Sequence, residues 1–299
     1  MTSNKTARLL KQASYASVAV AFVLIIAKTL TVLMTDSVGV FASLLDSSMD
    51  AITSIVNLIA VRYALKPADD EHRFGHGKAE DLAGLAQAAF IAGTAVFLLI
   101  NAAERLLHPS EIQHAEIAIA VMVFSVLLTL PLVMFQRYVV RQTKSNAIAG
   151  DSLHYEGDIL MNAAIISGLV FALYGFGWVD AALGLLIGLY ILVSAIRLGL
   201  RSANMLMDVD MGEDVRQRIC GIVDQHPEVK GLHELRTRQS GHLAFIQMHI
   251  ELDGSLSLLE AHLLSEEIEE KVKAQVPNAE VFIHQDPISV VTQSPKFTH

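Results

Sequence analysis

The chain is 299 residues long, 53% hydrophobic and carries a formal net charge of −9, with a mean hydropathy of +0.45. It is more apolar than an ordinary soluble domain, and its acidic balance argues against a nucleic-acid partner. Cys220 is the only cysteine, which excludes an internal disulfide framework and a thiolate-rich metal site.

Apolar runs of about 20 residues, the length that crosses a bilayer, occur at residues 12–34, 38–63, 80–107, 115–141, 146–174 and 178–200. This predicts an α-helical membrane protein with six spans over residues 1–207. The first run lacks an A-x-A-like exit and is followed at once by another, so it reads as a span and not as a cleavable signal peptide. Lys5, Arg8 and Lys11, then Arg62, Lys66, Arg73 and Lys78, then Arg137, Arg141 and Lys144, then Arg197 and Arg201 fall in alternate connections. The intervening connections contain only Arg105. The positive-inside rule therefore predicts cytoplasmic N- and C-termini.

The second run, VGVFASLLDSSMDAITSIVNLIAVRY, contains Asp46 and Asp50. A carboxylate near the bilayer centre costs roughly 3 kcal/mol on insertion scales. Their i,i+4 spacing puts both on one helix face. In the fifth run, DSLHYEGDILMN places His154 and Asp158 at the same spacing. The two helices enter from opposite sides, with each pair at matching depth near the midplane. One intramembrane aspartate can simply bond a neighbouring helix. Three carboxylates at one level would repel one another, and three oxygens with one imidazole suit a tetrahedral divalent metal.

The connection PADDEHRFGHGKAE offers Asp69, His72 and His76 as a second, exposed cluster, with Gly75 and Gly77 giving backbone freedom. From residue 208 the pattern becomes mixed and charged, long enough for one small domain with its own core. Helix signals at 212–226 and 256–274 and strand signals at 232–239, 243–252 and 280–286 predict an αββαβ domain over 208–290. Its helices lie on one face of a small sheet, and a disordered tail follows at 291–299. His249 alternates with Gln247 and Glu251 on one sheet face. His233, His249, His262, His284 and Asp286 would form a third metal cluster where these elements converge.

No G-x-x-x-x-G-K-[ST] occurs, so nucleotide hydrolysis has no support and transport energy must come from a gradient. No HExxH occurs, and a four-ligand cage leaves no open metal position, so an enzyme is not expected. The alternative is a metal-gated channel or a membrane metal sensor, although a pore should not need a closed cage.

LLDSSMD, PADDEHRFGHGKAE, DSLHYEGD, LHELRTRQSG and IHQDP, in this order over about residues 7–290, resemble the cation diffusion facilitator transporters. The resemblance implies a homodimer of six-helix units in the bacterial inner membrane, with metallochaperone-like cytoplasmic domains. It implies exchange of a divalent metal for protons, with export of Zn(II) and with Fe(II), Cd(II) and Mn(II) as further candidates. Zinc or another divalent ion would also serve a structural or regulatory role. Asp46, Asp50, His154 and Asp158 match the family's transport site, and Asp69, His72 and His76 match its loop site. His233, His249, His262, His284 and Asp286 match its two-metal cytoplasmic site, with Asp286 bridging the ions. Lys78, Asp208 and Arg238 match a charge interlock between membrane and cytoplasmic parts.

Overall fold

A computed structural model of the chain describes residues 3–35, 38–107, 115–173 and 178–291. The tail expected to be disordered lies almost wholly outside the described residues, which end at 291. The chain divides into two compact units, one of residues 6–203 and one of residues 204–299 with 1–5.

The first unit is built from α1 (Ser3–Thr35), α2 (Val38–Ala64), α3 (Lys78–Leu107), α4 (Ala115–Thr143), α5 (Asn146–Leu173) and α6 (Trp178–Leu206). Among the described residues, five of these helices are long and apolar enough to cross a membrane. The sixth expected span, α5, is not among the five. Its N-terminal half carries Asp151, Glu156 and Asp158. The bundle accommodates that load internally, because Asp151, Ser152 and Tyr155 are all buried.

Burial in this unit is inverted relative to a water-soluble bundle. Leu33, Met34, Phe97, Leu127 and Leu186 are exposed, while Ser14, Ser17, Ser54, Asn57, Gln136 and Asp151 are buried. With lipid as apolar as leucine, small residues and hydrogen bonds hold such helices together. Gly150 lets α5 approach α3 closely, since a β-carbon there would collide with the Gln87 side chain.

Hydrogen bonds fix the same half of α5 in place. Gln136 Nε2 donates to Asp151 Oδ2 at 2.6 Å, and Ser54 Oγ donates to Asp151 Oδ1 at 3.4 Å. Ser54 Oγ also lies 2.9 Å from Ser17 Oγ and 3.0 Å from the Tyr155 hydroxyl. Asn146 Nδ2 donates to Asp81 Oδ1 at 2.7 Å. Together these bonds tie α5 to α1, α2, α3 and α4.

The second unit contains α7 (Glu213–Val223), β1 (Gly231–Ser240), β2 (Leu243–Leu252), α8 (Leu258–Gln275), β3 (Ala279–Pro287) and the short α9 (Ile288–Val291). The sheet order is β1-β2-β3. β1 pairs antiparallel with β2, and β3 pairs parallel with β2 through the α8 crossover. The αββαβ order expected from the sequence is present, with α9 added. Strand period 2 divides β2 from Ile246 to Leu252. Ile246, Met248, Ile250 and Leu252 are buried in a core with Ile219, Val223, Ile268 and Val272. Gln247, His249 and Glu251 occupy the opposite face. Ser257 caps α8 in a capping box with Glu260, which satisfies otherwise unpaired N–H groups.

This unit has its own core, so a fragment spanning 204–299 should fold alone. Ile268 is fully buried within that core, and Ile268→Ala should cost the fragment about 2–5 kcal/mol in urea unfolding. A loss below about 1 kcal/mol would mean that α8 does not anchor the core.

Candidate metal centres

Inside the membrane unit, α2 and α5 bring Asp50, His154 and Asp158 together. Each offers a ligand atom, and the three atoms lie within 4.8 Å of one another. His154 Nε2 is 2.8 Å from Asp50 Oδ1 and 4.0 Å from Asp158 Oδ2. The shorter contact is a hydrogen bond with a proton between the two atoms. A metal bound by both would displace that proton. Asp46 lies one helical turn before Asp50 on α2, and its side chain is outside the described residues.

The three groups line a cavity of about 450 Å³, together with Ser43, Ser47 and Lys28. Lys28 Nζ donates to the Ser43 carbonyl at 3.1 Å and to Ser47 Oγ at 2.6 Å. The expected ligand set does not include this lysine. It sits in a long apolar run and has no sequence partner at helical spacing to mark it.

The loop cluster is organised by Asp69. Its Oδ1 accepts from the backbone N–H of His72 at 2.7 Å and of Glu71 at 3.2 Å. The His72 N–H, above all, holds the exposed Asp69 carboxyl below the usual carboxylate range. His72 Nδ1 lies 3.5 Å from Asp69 Oδ1, and His76 Nε2 lies 3.2 Å from Asp69 Oδ2. Gly75 adopts φ +78°, a left-handed conformation that returns the chain toward Asp69. His76 is buried against Tyr63, with ring centroids 4.5 Å apart, and its Nδ1 has no hydrogen-bond partner among the described residues. One imidazole is thus fixed while Asp69 and His72 remain exposed.

In the second unit the sheet itself positions the histidines. His233 is the β-partner of His249, and His249 is the β-partner of His284. Asp286 closes the row. His249 Nδ1 is 2.8 Å from its Oδ2, and His233 Nε2 is 3.3 Å from the same oxygen. His284 Nε2 is 3.3 Å from Oδ1. The two carboxylate oxygens therefore face different imidazoles. Glu251 Oε1, 3.3 Å from His233 Nδ1, joins the row. Its alternation with His249 in sequence was the signal for it. His262 is not brought to this cluster within one chain: it is exposed on α8, 3.5 Å from Glu266. A histidine on the outer face of a helix cannot reach a row on the opposite side of the sheet.

Of the three residues of the expected charge interlock, Arg238 Nη1 is 3.2 Å from Asp208 Oδ1. The Arg238 guanidinium also lies 4.5 Å over the Phe245 ring. Lys78 belongs to the other unit, as the first residue of α3.

Two family profiles cover nearly the whole chain. The cation efflux transmembrane domain matches residues 14–207, and the cytoplasmic domain of cation efflux proteins matches residues 211–288. The chain is 47% identical over 287 residues to the cation-efflux pump FieF of Serratia proteamaculans, covering 96% of each. It is 49% identical over 280 residues to the cation-efflux pump FieF of Shewanella oneidensis, covering 94% of this chain and 95% of that one. Among solved structures, the metal-bound C-terminal domain of the CzcD transporter from Thermotoga maritima is 33% identical. It covers 26% of this chain and 92% of that one, with a TM-score of 0.25.

The geometry separates Asp286 from His262. Zinc at a hundredfold excess over its dissociation constant should stabilise the 204–299 fragment by about 2.7 kcal/mol. Asp286→Ala should remove most of this gain, and His262→Ala should keep it. Equal loss in both variants, read by thermal melting, would mean that His262 reaches the ions from a second copy of the chain.

Proposed function

We propose, proceeding from the fact that the chain belongs to the cation efflux family, that it exports divalent metal from the cytoplasm in exchange for protons. Zn(II) is the foremost substrate, with Fe(II), Cd(II) and Mn(II) as other candidates. The observation that carries this reading is the convergence of Asp50, His154 and Asp158 in one cavity of the membrane unit. Oxygen ligands with one imidazole suit borderline and hard divalent ions.

Proton coupling follows from ligand chemistry. A metal binds deprotonated carboxylates and a neutral imidazole, so loading expels protons and protonation expels metal. Rocking of the helices around a fixed site would expose it to each side in turn. In this reading Asp46 is the fourth ligand, residues 1–207 form the transport domain in the inner membrane, and residues 208–290 form a cytoplasmic metal-binding domain. The Lys and Arg distribution supports cytoplasmic termini. The paired cytoplasmic domains would join two copies into a homodimer, with Lys78, Asp208 and Arg238 as a charge interlock. The loop and cytoplasmic clusters, being more exposed, would exchange metal with the cytoplasm and regulate transport. A metal-gated channel is the alternative, and the near-closed ligand set disfavours it.

Zinc flux in proteoliposomes should saturate with zinc and respond to an imposed pH gradient. Asp50→Ala should abolish it in a protein that still elutes as a folded dimer. Flux that rises linearly with zinc and ignores the pH gradient would favour the channel. Normal flux in Asp50→Ala would remove the α2–α5 cavity from the mechanism.

A further inference from the structure

The cavity of the proposed transport site is lined by a basic side chain, Lys28, that the proposed ligand set does not use. Lys28 belongs to the apolar helical segment Lys5–Met34, and it is only 7% exposed. An ammonium inside a transmembrane helix is costly and marks a functional site by default. Its placement is specific, because it faces the same cavity as Asp50, His154 and Asp158.

Two bonds direct it there. The ammonium donates to the Ser43 carbonyl and to Ser47 Oγ. Ser47 follows Ser43 by four residues and Asp50 follows Ser47 by three, so all three share one face of α2. The charge thus sits about one turn from Asp50, on the side of the connection between α1 and α2. Lysine suits a fixed countercharge, being a compact point charge on a flexible stem.

We propose that Lys28 is the built-in counter-ion of the transport cavity, a positive charge that loosens the hold of the carboxylates on a divalent metal and so speeds its departure. This rests on reading the cavity as the transport site. Asp50 and Asp158 present carboxylates to the cavity, and the Lys28 ammonium adds a positive charge to the same lining. Its repulsion of a divalent ion offsets part of their attraction. Without it the carboxylates would act on the metal unopposed in a low-dielectric interior, where Coulomb attraction is strong. An exporter that binds its ion too tightly releases it slowly. Lys28 trades affinity for turnover.

The test uses the full chain in proteoliposomes, with zinc flux measured over a concentration series for Lys28→Met, Lys28→Gln and Lys28→Arg. If the charge matters, Met and Gln should each lower KM for zinc about fivefold or more and reduce kcat by a similar factor. Arg should stay within about twofold of the parent. If Lys28 only ties α1 to α2, Gln keeps the donor to Ser43 and Ser47 and should match the parent in both constants. That outcome would overturn the proposal, as would a fall in kcat at unchanged KM in Gln. Gln decides the matter even where Met fails to fold. Failure of the parent chain to move zinc would instead sink the transport reading. A transporting parent whose three variants share its KM would sink the counter-ion alone.

Discussion

The 2.8 Å contact between His154 Nε2 and Asp50 Oδ1 is the constraint on which the membrane unit depends. Neither group can be left alone in hydrocarbon, because a charge without a partner there costs several kcal/mol. Their meeting requires α5 to lie inside the bundle against α2, with its polar half turned inward. The Asp151–Gln136–Ser54 bonds hold that half in register with α2 and α4. Arg137 and Tyr190 both pair with Glu156 on the next part of the same helix. Much of the buried polar inventory of the unit thus serves to seat one helix. The rest of the fold can be lipid-facing and apolar because the polar cost is concentrated in one place.

The three clusters differ in how firmly their ligands are held. The α2–α5 site is enclosed by helices and meets a cavity. The loop site has one buried imidazole, His76, and two exposed partners, so its geometry is half preformed. The row on the sheet is spaced by strand pairing, and Asp286 spans it with both oxygens. Strands about 4.8 Å apart place imidazoles at a distance that one carboxylate can bridge.

The helix and strand order of the second unit was legible because its periodicity is strong. Residues 246–252 alternate buried and less buried positions along β2, and the strand limits expected at 243–252 coincide with the observed ones. The pairing of Asp50 with His154 was legible from matched i,i+4 spacing and opposite entry. Other features leave no periodic trace. Lys28 stands alone in an apolar run and shows its purpose only when α2 is packed against it. The register shift between His233 and Arg236, with Glu234 at φ +50°, is a backbone event unrelated to side-chain pattern. His262 was grouped with the other histidines by composition and by the family resemblance, and within one chain it lies exposed on α8 beside Glu266.

Diffraction at the zinc absorption edge, from crystals of the full chain grown with zinc, reads the α2–α5 site directly. An anomalous peak is expected between α2 and α5, about 2.0–2.2 Å from a carboxylate oxygen of Asp50, Nε2 of His154 and a carboxylate oxygen of Asp158. Peaks confined to the loop and cytoplasmic clusters, with none between those two helices under saturating zinc, would contradict it.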